Sequence, residues 1–348
     1  MILVGLIALG LWFGGRAMGA SPQARWLMIA LLFVLVLALQ IALPDGHPMR
    51  AATGGAPELW FLLAGIAAVI YGYRALLMRL RARAGTEVPI EAPRTETFST
   101  TELERYARHI VLREIGGPGQ KKLRDAKVLV IGAGGLGAPA LLYLGAAGVG
   151  TLGVIDDDTV ENANLQRQIV HRDRAIGMPK VFSAQETVRA LNPYVEIRPY
   201  NRRLTEEISH DLIADYDVVL DGSDSFATRD LVNRACVETG RPLVSGALSQ
   251  WEGQISVFDP EAGAPCYACI FPSAPADGLQ PNCAEGGVLG PLPGVIGAMM
   301  AVETVKLISG AGQPLRGHML IYDALDGQTR RIALSRRPDC PVCRAKAA

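Results

Sequence analysis

The sequence predicts a doubly wound α/β domain, with a mainly parallel sheet and an antiparallel C-terminal extension, carried behind N-terminal transmembrane helices. Three observations point there. Long apolar runs crowd the chain before Arg79; past residue 99, short strand-like runs alternate with longer helical ones; and the first of those strands ends in a glycine-rich turn that opens a helix. Alternation of this kind specifies parallel strands covered by helices on both faces.

A chain of 348 residues has room for more than one folding unit. Residues 26–43 are almost unbrokenly apolar and residues 59–78 form a second such run, each near the roughly 20 residues that cross a bilayer. Residues 2–13 are a shorter run without the basic leader and small-residue cleavage site of a secretory signal. They read either as a third span or as a surface-lying or buried segment. Arg74, Arg79, Arg81 and Arg83 cluster at the end of the last run with no acid before Glu87. The positive-inside rule therefore places the remainder in the cytoplasm, on the inner (cytoplasmic) membrane. The expected division is a membrane anchor over residues 1–83, a linker over 84–98 containing Pro89 and Pro93 and lacking apolar periodicity, and a catalytic domain over 99–348. Lys and Arg together number 34, as do Asp and Glu. No basic stripe stands out, which argues against nucleic acid as a partner.

The elements of the second part follow in order. Ser99 with Glu102 and Thr101 with Glu104 both have capping-box spacing ahead of a helix carrying Tyr106, Ile110 and Leu112. Strands are expected at residues 127–131, 151–156, 195–200, 217–221 and 242–245, with helices between most of them. After a further strand at 254–258, a Pro- and Gly-rich loop covers 272–294, and an apolar helix over 295–309 is closed by Gly310. Residues 318–323 and 328–333 flank Asp326-Gly327, a hairpin signal.

The glycine turn is Gly132-Ala133-Gly134-Gly135-Leu136-Gly137. A strand feeding such a turn and then a helix makes an anion site, because the first helical N–H groups lack internal partners. Asp156 follows at about the twenty-residue interval of a ribose-binding acid. Dinucleotide enzymes use the same turn, so an NAD-dependent oxidoreductase remains open. Asn164, Gln166, Arg167 and Gln168 come next, then Lys180 after Gly177-Met178-Pro179. Amides, a guanidinium and an ammonium arriving together suit a triphosphate, although Arg167 or Lys180 alone also reads as a solvated helix face. Asp221-Gly222-Ser223-Asp224 falls at a strand end, where a carboxylate suits Mg²⁺. Asp224 equally reads as an N-cap.

Cys266 and Cys269, with Cys340 and Cys343, form two C-x-x-C knuckles. In a cytoplasmic chain they match a structural Cys₄ zinc site with no open position; a redox dithiol and unliganded thiols are the rival readings. Cys236 lies among apolar helix positions. Cys283, in the Pro- and Gly-rich loop, is either a thiol nucleophile or a chance loop cysteine. None of the five histidines has metal-ligand spacing; His109 and His171 lie near the glycine turn and Lys180 in sequence.

Taken together, residues 105–110, the glycine turn, residues 164–168, 177–180 and 221–224, Glu252-Gly253-Gln254 and both cysteine pairs resemble the MoeB/ThiF/HesA family, bacterial relatives of ubiquitin-activating enzymes. The resemblance runs from about Ser99 to the end and is closest to the molybdopterin-synthase adenylyltransferase type. It implies a Rossmann-like fold and ATP-dependent adenylylation of the C-terminal Gly-Gly carboxylate of a ubiquitin-like sulfur carrier, the molybdopterin synthase small subunit. The thiazole carrier of thiamine biosynthesis is the nearest alternative. By position, the resemblance implies that Asp156 binds ribose, Asn164 helps hold the nucleotide, Arg167 and Lys180 neutralise phosphate charge and Asp224 holds Mg²⁺. It further implies that Arg108 reaches the nucleotide of a partner subunit, hence a homodimer. Cys283 matches the loop where some relatives place a reactive thiol. No sulfurtransferase domain follows Cys343, so the expected sulfur donor is another protein, and the apolar N-terminal segment lies outside the resemblance. A noncatalytic module that recruits a carrier to the membrane is a reading of a different class.

Overall fold

The computed structural model describes residues 2–55, 57–84, 98–274 and 287–344. It divides into two compact units, Met1–Glu96 and Thr97–Ala348. The first unit is helical: α1 (Ile2–Ala17), α2 (Pro22–Ala42), α3 (Pro48–Thr53) and α4 (Pro57–Ala84). Ser21 caps α2, its hydroxyl accepting from the N–H of Ala24. Val4, Val36 and Trp60 form a small buried cluster, while Leu31, Val34, Leu62 and Val69 point outward. That distribution inverts the polar exterior of a water-soluble bundle. By length and composition, Ala24–Ala42 and Pro48–Leu76 suffice to cross a membrane, whereas α1 has 16 residues and is shorter. The expected linker falls almost wholly on residues 85–97, outside the described residues; α4 itself continues to Ala84.

The second unit opens with α5 (Thr100–Ile110) and α6 (Gly116–Asp125). Ser99 is the N-cap of α5 and closes a reciprocal capping box with Glu102. The parallel expectation for Thr101 and Glu104 is not met. Thr101 lies inside the helix, and a helix has a single N-cap, fixed here about two turns ahead of the buried Tyr106.

Eight strands form one sheet in the order β3-β2-β1-β4-β5-β6-β7-β8. They are β1 (Lys127–Ile131), β2 (Thr151–Ile155), β3 (Glu196–Tyr200), β4 (Val218–Asp221), β5 (Leu243–Leu248), β6 (Glu252–Phe258), β7 (His318–Asp323) and β8 (Gln328–Ala333). The pairs from β3 to β5 are parallel and those from β5 to β8 antiparallel. The doubly wound α/β sheet with an antiparallel extension is therefore observed. Helices α7 (Gly137–Ala147), α8 (Lys180–Leu191), α9 (Glu206–Ala214), α10 (Phe226–Thr239), the short α11 (Tyr267–Ile270) and α12 (Pro291–Ser309) complete it.

Side chains of β1 alternate between two cores, as the strand repeat requires. Val128 and Val130 join Leu141, Leu144 and Ile296 on one face, and Leu129 and Ile131 join Ile213, Tyr216 and Val232 on the other. Helix α12 begins at Pro291, ahead of the expected residue 295, because proline suits a first turn whose N–H groups have no partner. It too is long and apolar enough to cross a membrane, yet it packs against α6, α7, β5 and β6. The β7–β8 hairpin closes through four residues, 324–327, with Asp323 opposite Gln328. Asp326-Gly327 ends the loop of the expected hairpin, and Gly327 takes the left-handed φ of +66°.

Candidate functional site

The strand order reverses between β1 and β4, both of which have parallel neighbours leading away in opposite directions. Ligands of open α/β sheets gather in the crevice at the carboxyl ends of such a pair. The glycine turn follows β1 here, and the Asp221–Asp224 turn follows β4. They abut: a Cβ placed on Gly132 would meet the Gly222 carbonyl at 3.5 Å, and one on Gly222 would meet Cβ of Leu136 at 3.1 Å.

The glycines of the first turn serve different needs. Gly132 has φ +88°, which favours glycine, and a Cβ on Gly137 would overlap the Gly132 carbonyl. Around Gly134 the nearest protein atom to a Cβ would be Nε2 of Gln168 at 3.7 Å. Packing does not demand glycine there, and the backbone lies open to close approach by a ligand. Helix α7 starts immediately afterwards without a side-chain cap; Ala138 and Ala140 donate to the Gly134 and Leu136 carbonyls and Pro139 has no N–H, so an anion would be met by the backbone N–H groups of the glycine turn ahead of them.

Two side chains hold Ala133 between them. Asp156 Oδ2 accepts from the Ala133 N–H at 2.7 Å, and its Oδ1 accepts from the Asp158 N–H at 2.8 Å. Burial holds the Asp156 carboxyl above the usual range, partly offset by the charge of Lys180 and by these hydrogen bonds. On the other side, the buried His171 bridges the Ala133 carbonyl (Nε2, 2.9 Å) and the Ser183 hydroxyl (Nδ1, 3.0 Å). Burial pushes its pKa down, so the ring is neutral near pH 7. His171 stood out in the sequence only by its proximity; its backbone partner lies 38 residues away.

Segment 164–168 covers the turn. Arg167 Nη2 donates to Asn164 Oδ1 at 3.1 Å, and a Cβ on Gly135 would lie 3.8 Å from Cγ of Arg167. Gln168 is buried against Gly134 with its Oε1 unpartnered among the described residues. Lys180 is 5% exposed and donates to Asp158 Oδ2 at 2.7 Å, from the first position of α8. Neither Arg167 nor Lys180 is a solvated face residue. The partner of Lys180, Asp158, has a mostly exposed side chain.

At the end of β4, Asp224 is exposed and makes no hydrogen bond or ion pair among the described residues. Ser225, rather than Asp224, caps α10. The donor set fits a hydrated divalent cation, since a free carboxylate is the kind of ligand Mg²⁺ takes alongside water and phosphate oxygens. Behind it, the fully buried Asp221 and the buried Arg229 anchor Ser223; no local pattern in the sequence singles out Arg229.

Arg108 is not gathered with the others. Helix α5 docks where Tyr106 packs on Gly148 and receives a hydrogen bond from Asn192 Nδ2 at 2.9 Å, while Arg105 reaches the Leu191 carbonyl at 2.8 Å. Those contacts are the C-terminal ends of α7 and α8. The 11 residues of α7, about 16 Å of helix, separate that edge from the glycine turn. Arg108 is exposed there and unpartnered among the described residues.

The two cysteine pairs meet. Sγ separations are 3.8 Å for Cys266 and Cys269, 3.6 Å for Cys266 and Cys340, and 3.5 Å for Cys269 and Cys343, with all four sulfurs buried within 4.8 Å of one another. These are far from the disulfide length of about 2.05 Å. A tetrahedron with metal–sulfur bonds of about 2.3 Å has edges of roughly 3.8 Å, so the four could hold zinc. Burial raises the Cys266 and Cys269 thiols, and Asn233 Nδ2 lies 3.9 Å from Cys266 Sγ while its Oδ1 accepts from the Tyr267 N–H. Cys236 is a buried core thiol, as expected. Cys283 lies outside the described residues.

Comparison with known proteins agrees with this geometry. The chain is 49% identical over 251 residues to a sulfur carrier protein adenylyltransferase of Thermus thermophilus, covering 71% of this chain and 92% of that protein. It is 48% identical over 249 residues to the SAMP-activating enzyme E1 of Haloferax volcanii, covering 72% and 92%. A crystal structure of E. coli MccB with MccA-N7isoASN shares the fold at 22% identity and a TM-score of 0.62, covering 72% of this chain and 76% of that one. The ThiF family matches residues 106–342, and with relatives this similar along nearly their whole length the chain belongs to the ThiF family.

Proposed function

We propose that the protein is an adenylyltransferase that uses ATP to activate the C-terminal carboxylate of a ubiquitin-like sulfur carrier. The observation that carries the reading is the crevice between β1 and β4, where the open backbone at Gly134, the cations Arg167 and Lys180 and the free carboxylate Asp224 share one sheet edge. A carrier carboxylate oxygen attacks the α-phosphorus, the bond to the bridging oxygen breaks, and pyrophosphate departs. The chain's part is electrostatic positioning. Backbone N–H groups of the glycine turn would face the phosphates, and Arg167 and Lys180 would spread charge over the departing pyrophosphate. Asp156 and Asn164 lie at the turn where ribose and nucleotide would be held, and Asp224 would hold Mg²⁺, which shields phosphate charge when bound. An NAD-dependent oxidoreductase has no use for these cations or for Asp224.

In this reading Cys266, Cys269, Cys340 and Cys343 hold a structural zinc that ties the C-terminal tail to α11. The placement of Arg108 at the far edge from its own glycine turn supports its service to a second subunit in a homodimer. The apolar helices before residue 85 support an anchor in the cytoplasmic membrane, with residues 99–348 as the catalytic domain on the cytoplasmic side. The carrier is the molybdopterin synthase small subunit, with the thiazole carrier as the alternative, and another protein donates the sulfur.

Carrier-dependent exchange of pyrophosphate into ATP tests the function. Exchange with a carrier ending in Gly-Gly, lost when that end is truncated, is the expected result; exchange with one carrier alone assigns the pathway. Failure with every such carrier, together with reduction of NAD by a substrate, overturns the reading.

A further inference from the structure

Among the described residues, Ser223 is anchored at every polar atom. Its N–H and Oγ donate to Asp221 Oδ1 at 2.9 and 2.6 Å, and its carbonyl accepts from Arg229 Nη2. Arg229 is 8% exposed. Its Nη1 donates to Ser245 Oγ at 3.0 Å and its Nη2 also donates to the Gly246 carbonyl at 2.8 Å. The guanidinium therefore stitches the turn after β4 to the middle of β5, where Asp221 pairs with Ser245. The second oxygen of Asp221 has no hydrogen-bond partner among the described residues, and Arg229 Nη1 stands 4.0 Å from it.

Stability alone is a weak reason for such an arrangement. A buried ion pair is often no better than apolar residues of the same volume, and its best-attested use is to fix a register. What is fixed here is the residue before Asp224. The planar fork of arginine serves three acceptors at once, which the point charge of lysine does less well.

We propose that Arg229 is a positioning residue for the divalent cation of the nucleotide: by locking Ser223 to β5 it presets the backbone from which the free carboxylate of Asp224 projects. The proposal rests on the adenylyltransferase reading and deepens it. Because the side chain touches neither cation nor nucleotide, its loss weakens cation binding while the reaction at saturating cation is largely recovered. A purely structural role would lower the active fraction without moving the cation midpoint.

The test uses the full chain in detergent, with Mn²⁺ as probe and a non-hydrolysable ATP analogue present. Bound Mn²⁺ is read by electron paramagnetic resonance, alongside thermal unfolding and zinc content. Arg229→Met should raise the Mn²⁺ Kd by about tenfold or more, and Arg229→Lys and Ser245→Ala by about threefold, from the hydrogen bonds each removes. The Mg²⁺ midpoint of pyrophosphate exchange should move in parallel. If Arg229→Met does not fold, the two milder variants decide. A Mn²⁺ Kd within about twofold of wild type in folded Arg229→Lys and Ser245→Ala overturns the role of Arg229 and leaves the enzyme reading standing. A wild-type protein that binds no Mn²⁺–nucleotide complex overturns both.

Discussion

The turns after β1 and β4 solve one problem in two ways. Each must hold backbone rigidly at the edge of a sheet, and each has a residue gripped from opposite sides: Ala133 by Asp156 and His171, Ser223 by Asp221 and Arg229. The first grip uses two groups whose protonation is shifted by burial, and its turn offers only backbone N–H groups to a polyanion. The second uses a buried charge pair, and its turn presents a carboxylate. On the proposed reading, a site that would receive both an anion and its counter-cation divides the work between adjacent strands.

The largest effect that would sharpen this comparison is at Asp224. Asp224→Ala should lower pyrophosphate exchange by about 10²–10³-fold with thermal stability unchanged; undiminished exchange would deny the second turn its cation. Next come two glycines of the first turn with opposite expectations. Gly137→Ala should cost about 3 kcal/mol in denaturant unfolding, because its Cβ overlaps a backbone carbonyl. Gly134→Ala should leave stability within about 0.5 kcal/mol yet weaken ATP binding, measured by calorimetry. Should both lose stability equally, Gly134 is a packing glycine and the open cradle is an error.

Smaller again, His171→Ala should destabilise by about 1–2 kcal/mol, since Ser183 and the Ala133 carbonyl lose their partner. The smallest effect is a pH response. The folded pKa of His171 lies below the unfolded value of 6.5, so the unfolded chain binds the extra proton. Its contribution is whole above about pH 6.5 and is lost as pH falls toward the folded pKa. The acid limb of the stability curve should flatten in His171→Ala; an unchanged limb would place the titration elsewhere.

Local patterns carried much of this into the sequence. The parallel strands fall within a residue or two of their expected starts because apolar runs bounded by turns leave little choice, although β5 runs three residues longer. The glycine turn and the C-x-x-C pairs are likewise short-range signals. What stayed hidden depends on long-range register. Arg229 acquires meaning only when β4 and β5 bring Asp221 beside Ser245, and His171 only when its loop folds back on Ala133. Arg108 could not be placed at the far edge before Tyr106 was seen against Gly148. One local signal misled: Thr101 repeated the spacing of Ser99 in another frame, whereas Asp326-Gly327 marked the β7–β8 hairpin correctly.

The sulfur cluster also decides which apolar helices can count as spans. Helix α12 lies between the two cysteine pairs and has the composition of a span. Were it to traverse, Cys340 and Cys343 would emerge about 30 Å of hydrocarbon away from Cys266 and Cys269. Their meeting within 4.8 Å keeps both ends of α12 on one side of any bilayer, so a count of spans by hydropathy should leave this helix out.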